Sequence, residues 1–256
     1  MILTVDIGNS YITIGGYEGD RLAFVSDIVS DPRRTRDQYM VEIKNMMELN
    51  GIGTQSPEGA VIGSVVPELT SVIAEAVERL LGTVPIIVGP GIKSGINIRI
   101  ENPAQLGADI FAGAVAAAEK FGGPCIICNL GTATVMSVLD ANKVFQGVVI
   151  AAGVGTTQEA FTKYTALLPH VNIDPPKHVI GKNSARSVQS GLVFGTAAMI
   201  DGLVKRIEEE LGQKARVLAT GKICKMIIPY CETDIEVEEY LILDGLKIIY
   251  DKNVSR

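Results

Sequence analysis

An internal repeat limits the possible folds of this chain more than any other feature. An apolar run near the N-terminus ends in a polar turn that contains Asp6 and Gly8, and further apolar runs follow it. The same order of residues returns near the middle of the chain, where Asn129 and Gly131 take the places of Asp6 and Gly8. Two strand–turn–strand units of one layout indicate a duplicated lobe.

Apolar spacing along the rest of the chain alternates between the periods of strands and helices. The helices are predicted at Arg34–Asn50, from Pro67 onward, at Pro103–Phe121, Thr157–Leu168 and Ser184–Leu211, and from about Glu238 to Lys252. The strands between them are predicted at Ala60–Val66, Val84–Val88 and Arg216–Ala219. Strands interleaved with helices predict an α/β fold with mostly parallel sheets, each opened by an antiparallel hairpin. We therefore predict an N-terminal lobe over residues 1–115 and a C-terminal lobe over residues 116–256.

Charge and hydropathy exclude two classes of partner. The net charge is −6, and the short basic run at Arg33, Arg34 and Arg36 is interpreted as a solvated helix face. A nucleic-acid surface needs clustered lysine and arginine, so no nucleic-acid partner is expected. The N-terminus enters a strand pattern without a basic leader, and no uninterrupted apolar stretch reaches the roughly 18 residues of a membrane span. We expect no membrane segment and a cytoplasmic location.

The two repeated turns have the composition of phosphate-binding loops. Gly8 and Gly131 lack a Cβ, so backbone N–H groups beside them can approach a phosphate closely. Ser10 and Thr132 add hydroxyl donors, and the Asp6 carboxylate can hold Mg²⁺ against phosphate oxygens. Two such turns in register favour transfer of a phosphoryl group from ATP. A structural hairpin repeat without a ligand is the alternative.

The cysteines are interpreted as structural. Cys125 and Cys128 have the C-x-x-C spacing of redox and zinc sites. Redox pairs lie at a helix N-terminus, whereas this pair lies in an apolar strand-like run. Residues three apart in a strand point to opposite faces, so we predict two core thiols and leave a metal site as the alternative.

Four motifs give the chain a resemblance to a known family. They are Asp6-Ile-Gly-Asn-Ser10, Asn102-Pro-Ala-Gln-Leu-Gly-Ala-Asp109, Gly131-Thr-Ala-Thr134 and Gly181-Lys-Asn-Ser184. In this order they resemble the motifs of type III pantothenate kinases, over about residues 1–225. The resemblance implies duplicated actin-like (ribonuclease H-like) lobes, each a mixed sheet with an opening β-hairpin and flanking helices. It also implies a homodimer that phosphorylates pantothenate with ATP and Mg²⁺, the first step of coenzyme A biosynthesis, and that needs K⁺ or NH₄⁺.

The resemblance also implies a role for each matching residue. Asp109 corresponds to the catalytic base that accepts the proton of the pantothenate hydroxyl. The ATP and phosphate ligands implied are Asp6, Gly8, Asn9, Ser10, Gly131, Thr132 and Thr134, with Asp6 also serving Mg²⁺. The acceptor side is implied to include Ile100, Gly107, Ala108 and Ser184. Asn129 stands at the monovalent-cation position.

Several of these positions depart from the family pattern. Ile110 stands where the family has an arginine for the acceptor carboxylate, and Asn129 stands where it has the aspartate that holds the cation. Ile100 replaces a tyrosine, and Ser184 replaces a threonine. Two alternatives to an ordinary pantothenate kinase therefore stay open: a degenerate paralogue that binds nucleotide without efficient transfer, and a kinase for a different small acceptor. A purely structural dimerisation module, built on the apolar helix over Gly191–Leu211, is a third.

Overall fold

A computed structural model describes residues 1–53 and 57–254. Its elements in chain order are β1 (Ile2–Ile7), β2 (Tyr11–Glu18), β3 (Arg21–Val29), α1 (Arg36–Leu49), β4 (Gly59–Ser64), α2 (Pro67–Leu81), β5 (Ile86–Ile87), β6 (Asn97–Ile98), α3 (Ala108–Lys120), β7 (Cys125–Leu130), β8 (Ala133–Leu139), β9 (Val144–Ala152), α4 (Val154–Tyr164), α5 (Ser184–Leu211), β10 (Arg216–Thr220), α6 (Cys224–Ile227), β11 (Ile235–Val237) and α7 (Leu241–Val254). Short 3-10 turns at Pro103–Gln105 and Ile228–Tyr230 complete them.

The chain divides into two compact units, which are described separately. Unit 1 comprises Met1–Gly95, Glu101–Ala116 and Leu241–Arg256, and unit 2 comprises Ile96–Ile100 and Ala117–Tyr240. The division between Ala116 and Ala117 falls next to the predicted lobe boundary. The segment around β6 was predicted in the N-terminal lobe and belongs to unit 2, whereas helix α7 was predicted in the C-terminal lobe and belongs to unit 1. Helix α7 belongs with unit 1 because its buried apolar residues, among them Leu243 and Leu246, pack onto the strands of that unit.

Unit 1 contains a five-stranded mixed sheet in the order β3-β2-β1-β4-β5. The first three strands form an antiparallel meander, and β4 and β5 continue parallel to β1. Helices α1 and α2 pack against this sheet through fully buried residues such as Ile43 and Ile73. Local sequence fixes their ends: Thr35 and Gln38 form a reciprocal capping box before α1. Gly82 ends α2 in the left-handed conformation.

Unit 2 repeats this layout. Its six-stranded sheet has the order β11-β10-β7-β8-β9-β6. Strands β7, β8 and β9 form the antiparallel meander, while β10 and β11 run parallel to β7. The order β9-β8-β7-β10-β11 therefore matches β3-β2-β1-β4-β5, and β6 is an added edge strand parallel to β9. The predicted α/β class, mixed sheets and duplication are confirmed.

The largest departure from the predicted elements concerns the helix at Pro103–Phe121. The structure divides it into the 3-10 turn at Pro103–Gln105 and helix α3, which starts at Ala108. The side chain of Asn102 accepts the N–H of Ala104, and Leu106 is extended, so the first turn stops before α3 begins. Asp109 consequently lies in the first turn of a helix, which is where backbone N–H groups are free to meet a carboxylate.

Helix α5 bears on the expectation that the chain has no membrane segment. Among the described residues, this one helix is long and apolar enough to cross a membrane, by length and composition only. The sequence contains no uninterrupted apolar run of this length, because α5 mixes its apolar residues with Gly, Ser and Thr. One such helix is weak evidence for a span, because core helices of globular proteins pass the same test.

All four cysteines are free thiols. Cys125 donates to the carbonyl of Gly122 over 3.2 Å, and burial raises its pKa. Cys128 lies in the core of unit 2, where burial raises its pKa to about 12. In the described ranges no group of three or more His, Cys, Asp or Glu side chains could hold a metal ion.

Candidate functional site

The first turn connects β1 to β2 in unit 1. The N–H of Gly8 donates to the Tyr11 carbonyl over 3.0 Å, and the hydroxyl of Ser30 donates to the Gly8 carbonyl over 2.6 Å. A Cβ at Gly8 would lie 3.1 Å from the Tyr11 carbonyl oxygen, so a larger residue would crowd the turn. Asn9 and Ser10 are exposed at its tip. The turn is therefore tightly held from inside and open to solvent at its end.

Asp6 lies just before this turn, on the central strand β1. It pairs with Thr13 of β2 on one side and with Gly63 of β4 on the other. The residue is partly buried, and its Oδ1 is enclosed without a hydrogen-bond partner in the part of the chain that the structure describes. Burial, followed by the charges of Asp109 and Asp27, raises the pKa of Asp6 from 3.8 to about 8.

These properties fit a cation ligand. An enclosed carboxylate without a partner is unstable as an anion unless a positive charge compensates it. Carboxylate oxygens are the preferred protein ligands of Mg²⁺. The Asp6 carboxylate beside the first turn therefore has the chemistry of a ligand for such an ion.

Asp109 lies near Asp6 through an independent element, the start of α3. Gly63, the strand partner of Asp6, leaves the space into which Ala108 fits: a Cβ built at Gly63 would be 3.6 Å from the Cβ of Ala108. The charge of Asp109 accordingly acts on the pKa of Asp6. The structure therefore brings together two carboxylates that are far apart in the sequence.

The helix start shapes the surroundings of the Asp109 carboxylate. Burial raises its pKa, and hydrogen bonds from the backbone N–H groups of Ile110 and of Asp109 itself oppose that rise. A Cβ at Gly107 would lie 2.7 Å from Asp109 Oδ1 and 3.3 Å from Val65 Cγ1. It would also lie 3.8 Å from Ile110 Cδ1. Gly107 thus leaves room beside the carboxylate, and aliphatic side chains border that room.

The second turn connects β7 to β8 in unit 2 and is braced by the start of α4. The N–H of Gly131 donates to the Ala133 carbonyl over 3.0 Å. The Thr132 carbonyl accepts the N–H of Gly153 over 3.2 Å and the hydroxyl of Thr156 over 2.7 Å. A Cβ at Gly153 would lie 2.3 Å from the Gly131 carbonyl oxygen, so any residue with a side chain would clash there. The N-terminus of α4 therefore lies directly against this turn.

Asn129 and Thr134 flank the second turn in different ways. The Oδ1 of Asn129 would be 2.9 Å from a Cβ at Gly221 and 3.9 Å from one at Gly131, so it lies between two glycine turns. Thr134 is almost fully buried, and its hydroxyl oxygen has no hydrogen-bond partner among the described residues. The Asn129 side-chain oxygen therefore lies close to the backbone of two glycine turns, whereas Thr134 lies inside the unit.

The four residues predicted on the acceptor side fall in both units. Gly107 and Ala108 belong to unit 1, next to Asp109. Ile100 and Ser184 belong to unit 2: Ile100 follows β6, and Ser184 is the exposed first residue of α5, behind the capping side chain of Asn183. A common acceptor site for all four remains a prediction.

Sequence reasoning missed several residues that shape these turns. Thr13 and Asp27 continue the row of Asp6 across β2 and β3, and the Thr13 hydroxyl donates to Asp27 over 2.6 Å. Gly63 and Gly153 provide the two close approaches described above. Residues that pair across strands or touch through their backbones are distant in the sequence. A glycine was therefore the only sign of these contacts that the sequence offered.

Comparison with solved structures defines the class of protein. An activator of the 2-hydroxyisocaproyl-CoA dehydratase from Clostridium difficile, solved with bound ADPNP, has a TM-score of 0.58 at 12% identity, covering 98% of this chain and 94% of that chain. A Baf family transcriptional activator from Campylobacter jejuni has a TM-score of 0.62 at 17% identity, covering 98% of both chains. The chain therefore has the actin-like fold of ATPases and sugar kinases, with its duplicated lobes.

Sequence comparison narrows the class to one family. A family model of type III pantothenate kinases matches residues 2–206. A type III pantothenate kinase from Exiguobacterium sp. is 37% identical over 253 residues, covering 99% of both chains. The one from Moorella thermoacetica is 36% identical over 253 residues, covering 99% of this chain and all of the relative. The chain belongs to the type III pantothenate kinase family.

Proposed function

We propose that this protein transfers the γ-phosphoryl group of ATP to pantothenate, giving 4'-phosphopantothenate in the first step of coenzyme A biosynthesis. Membership of the type III pantothenate kinase family supports the reaction class. The single structural observation that carries the proposal is the approach of Asp109, at the start of α3, to Asp6, beside the first turn. A kinase of this kind needs one group for the nucleotide's metal ion and a second for the acceptor proton.

Each of the two turns, taken by itself, is assigned a role in binding phosphate groups of ATP. The N–H groups and hydroxyls around Gly8–Ser10 and Gly131–Thr132 suit phosphate oxygens. Asp6 would hold Mg²⁺, which neutralises the charge on the phosphates when it is bound. The side chain of Thr134, at the start of β8, is buried next to the second turn.

Asp109 is assigned as the general base. Its carboxylate accepts the proton of the acceptor hydroxyl as that oxygen bonds to the γ-phosphorus and the bond to the ADP oxygen breaks. Burial raises its pKa, which brings its basicity closer to the range in which general bases work best at neutral pH. The backbone N–H groups at the start of α3 keep the carboxylate in place. Positioning and charge neutralisation supply most of the remaining rate.

The test of this role is the variant Asp109→Asn, which keeps the shape of the side chain and removes its basicity. Coupled ADP release with pantothenate, ATP, Mg²⁺ and K⁺ or NH₄⁺ should show a fall in kcat of roughly 10²–10⁴-fold. Glu101→Gln, an exposed acid close to the 3-10 turn, is the matched control and should retain parent turnover. Parent turnover in Asp109→Asn would exclude Asp109 as the base.

A second candidate function is phosphorylation of a different small acceptor, or nucleotide binding without efficient transfer. The observation that favours it is the aliphatic border of the space beside Asp109, formed by Val65 and Ile110. Neither side chain can donate a hydrogen bond to the carboxylate of pantothenate. Loss of a buried charge contact of this kind costs about 2–5 kcal/mol, which corresponds to a roughly 30- to 5000-fold loss in efficiency.

The double variant Ile110→Arg with Asn129→Asp separates these candidates. A large gain in pantothenate phosphorylation would show that the parent is a degenerate or redirected enzyme. Parent-level activity that is already substantial, with no gain, would favour the ordinary kinase. Thermal shifts with ATP–Mg²⁺ and with pantothenate, measured separately, show which ligand the parent binds.

The remaining assignments follow from the same family. A monovalent cation, K⁺ or NH₄⁺, is assigned to the region of Asn129, whose Oδ1 can serve as a ligand although the side chain lacks a negative charge. A homodimer and a cytoplasmic location are proposed, with no nucleic-acid or membrane partner. Light scattering distinguishes dimer from monomer, and the dependence of kcat on K⁺ tests the cation.

A further inference from the structure

The C-terminal helix α7 lies outside the segment that matches the family model, yet it packs directly on the elements that carry Asp6. A Cβ at Gly15 of β2 would lie 2.9 Å from Leu243, and one at Gly63 of β4 would lie 2.9 Å from Leu246. The Tyr17 hydroxyl also donates to Asp244 over 2.6 Å. Glycines on the strands thus let α7 sit close to the sheet around β1.

The same helix touches α3, which carries Asp109, through backbone atoms. A Cβ built at Gly245 would lie 1.9 Å from the carbonyl oxygen of Ala112 and 2.4 Å from its carbonyl carbon. These atoms belong to the backbone of a helix, so no side-chain rotation can relieve the contact. Ala112 is three residues after Asp109, almost one helical turn. The position of Gly245 therefore limits the position of the α3 start.

The third contact lies at Gly63, the strand partner of Asp6. Gly63 meets Leu246 of α7 and Ala108 of α3, and it pairs with Asp6 across the sheet. Three elements that are distant in sequence thus pack around one glycine. A shift of α7 would move the start of α3 relative to Asp6.

We propose that Gly245 is a positioning residue for the phosphoryl-transfer reaction: its missing Cβ sets the α7–α3 contact that places Asp109 beside Asp6. This inference rests on the kinase function proposed above. An alanine at this position would need a displacement of roughly 1.5 Å to restore an ordinary van der Waals distance. Because a misplacement of about 1 Å can cost roughly 100-fold in rate, the expected effect falls on kcat.

The test compares Gly245→Ala with Gly113→Ala. Gly113 is also buried at the α3–α7 contact, but its Cβ would meet only Ile242 Cγ1, at 4.0 Å. Gly245→Ala should lower kcat roughly 100-fold with a KM for ATP near that of the parent. Gly113→Ala should retain the parent kcat. A folded Gly245→Ala protein with parent kcat, or one whose loss lies in the KM for ATP, overturns the proposal.

Hydrogen–deuterium exchange provides a readout that does not need kinase activity. Amides at the start of α3 should exchange faster in Gly245→Ala than in Gly113→Ala, while β7 and β8 of unit 2 exchange as in the parent. If the parent phosphorylates none of the acceptors tested, the proposed function fails. Hydrogen–deuterium exchange still shows whether the Gly245–Ala112 contact sets the position of the α3 start. Unchanged exchange at α3 overturns it. If Gly245→Ala does not fold, Leu246→Val replaces it as the test of whether the seat of α7 sets the position of the α3 start, because Leu246 packs α7 against Gly63, next to Ala108. Unchanged exchange at α3 and unchanged kcat in that variant overturn the proposal.

Discussion

Replacing Asp6 by asparagine should stabilise the free protein at alkaline pH while it removes the proposed metal ligand. Burial and the charges of Asp109 and Asp27 raise the pKa of Asp6 to about 8 in the folded state, from 3.8. The folded protein therefore holds a proton on Asp6 over a pH range in which the unfolded chain has released it. Stability must then fall as the pH rises from about 4 to about 8. An asparagine side chain has no carboxyl proton to release, so the variant Asp6→Asn should escape this loss.

The size of the effect follows from linkage. Each pH unit in this window costs at most about 1.4 kcal/mol. Between pH 5 and pH 8 the limit is about 4 kcal/mol, and the partial solvent access of Asp6 reduces it to on the order of 2 kcal/mol. For a chain of this length that corresponds to roughly 4–8 °C in Tm. The asparagine variant should therefore gain several degrees over the parent between pH 5 and pH 8.

Thermal unfolding of both proteins from pH 5 to pH 9, without nucleotide, measures this difference. Asp31→Asn is the control because hydrogen bonds from Arg33 lower the pKa of Asp31 to about 2. Its stabilising effect is lost only as the pH falls below about 4, so its Tm difference from the parent should be constant over the measured range. ATP–Mg²⁺ should stabilise the parent and not Asp6→Asn. A difference between Asp6→Asn and the parent that does not change with pH would refute the reasoning.

Three further outcomes are expected. Gly153→Ala should weaken ATP binding, because its Cβ would lie 2.3 Å from a carbonyl oxygen of the second turn. Gly155→Ala, whose Cβ would have nothing within 4 Å, is the control and should bind ATP as the parent does. Isothermal titration measures both affinities, and equal affinities would contradict the assignment of that turn. Tyr17→Phe removes the hydrogen bond to Asp244 and should cost about 1–3 kcal/mol in urea unfolding; no loss would show that the bond is not stabilising. Gly202→Ala, in an open position on α5, should raise stability by about 0.4–1 kcal/mol, and a destabilised variant would reveal a contact at that face.

Much of the candidate site could be predicted from local sequence. The turns after β1 and β7 are recognisable in the sequence because a short polar stretch follows a buried strand. Asp6 lies near the end of β1, and Gly131 directly follows β7. Asp109 was predicted through the resemblance of its surrounding motif and not through any spacing relative to Asp6. Thr134 was predicted as a phosphate ligand, and the structure buries its side chain. Strand β8 lies between β7 and β9, and all of its residues from Thr134 to Leu139 are buried, so both of its faces are covered.

The sequence by itself determined the duplication, the α/β class and the two glycine-containing turns, because strand and helix periods and turn residues are local properties of the chain. Only the tertiary structure decided that α7 returns to unit 1, that Gly63 joins Asp6 to the start of α3, and that Asn129 lies between Gly131 and Gly221. Each of these depends on which apolar faces are buried together and how closely two backbones approach. Such pairings join residues far apart in sequence, and a missing Cβ marks the contact only once its partner is known.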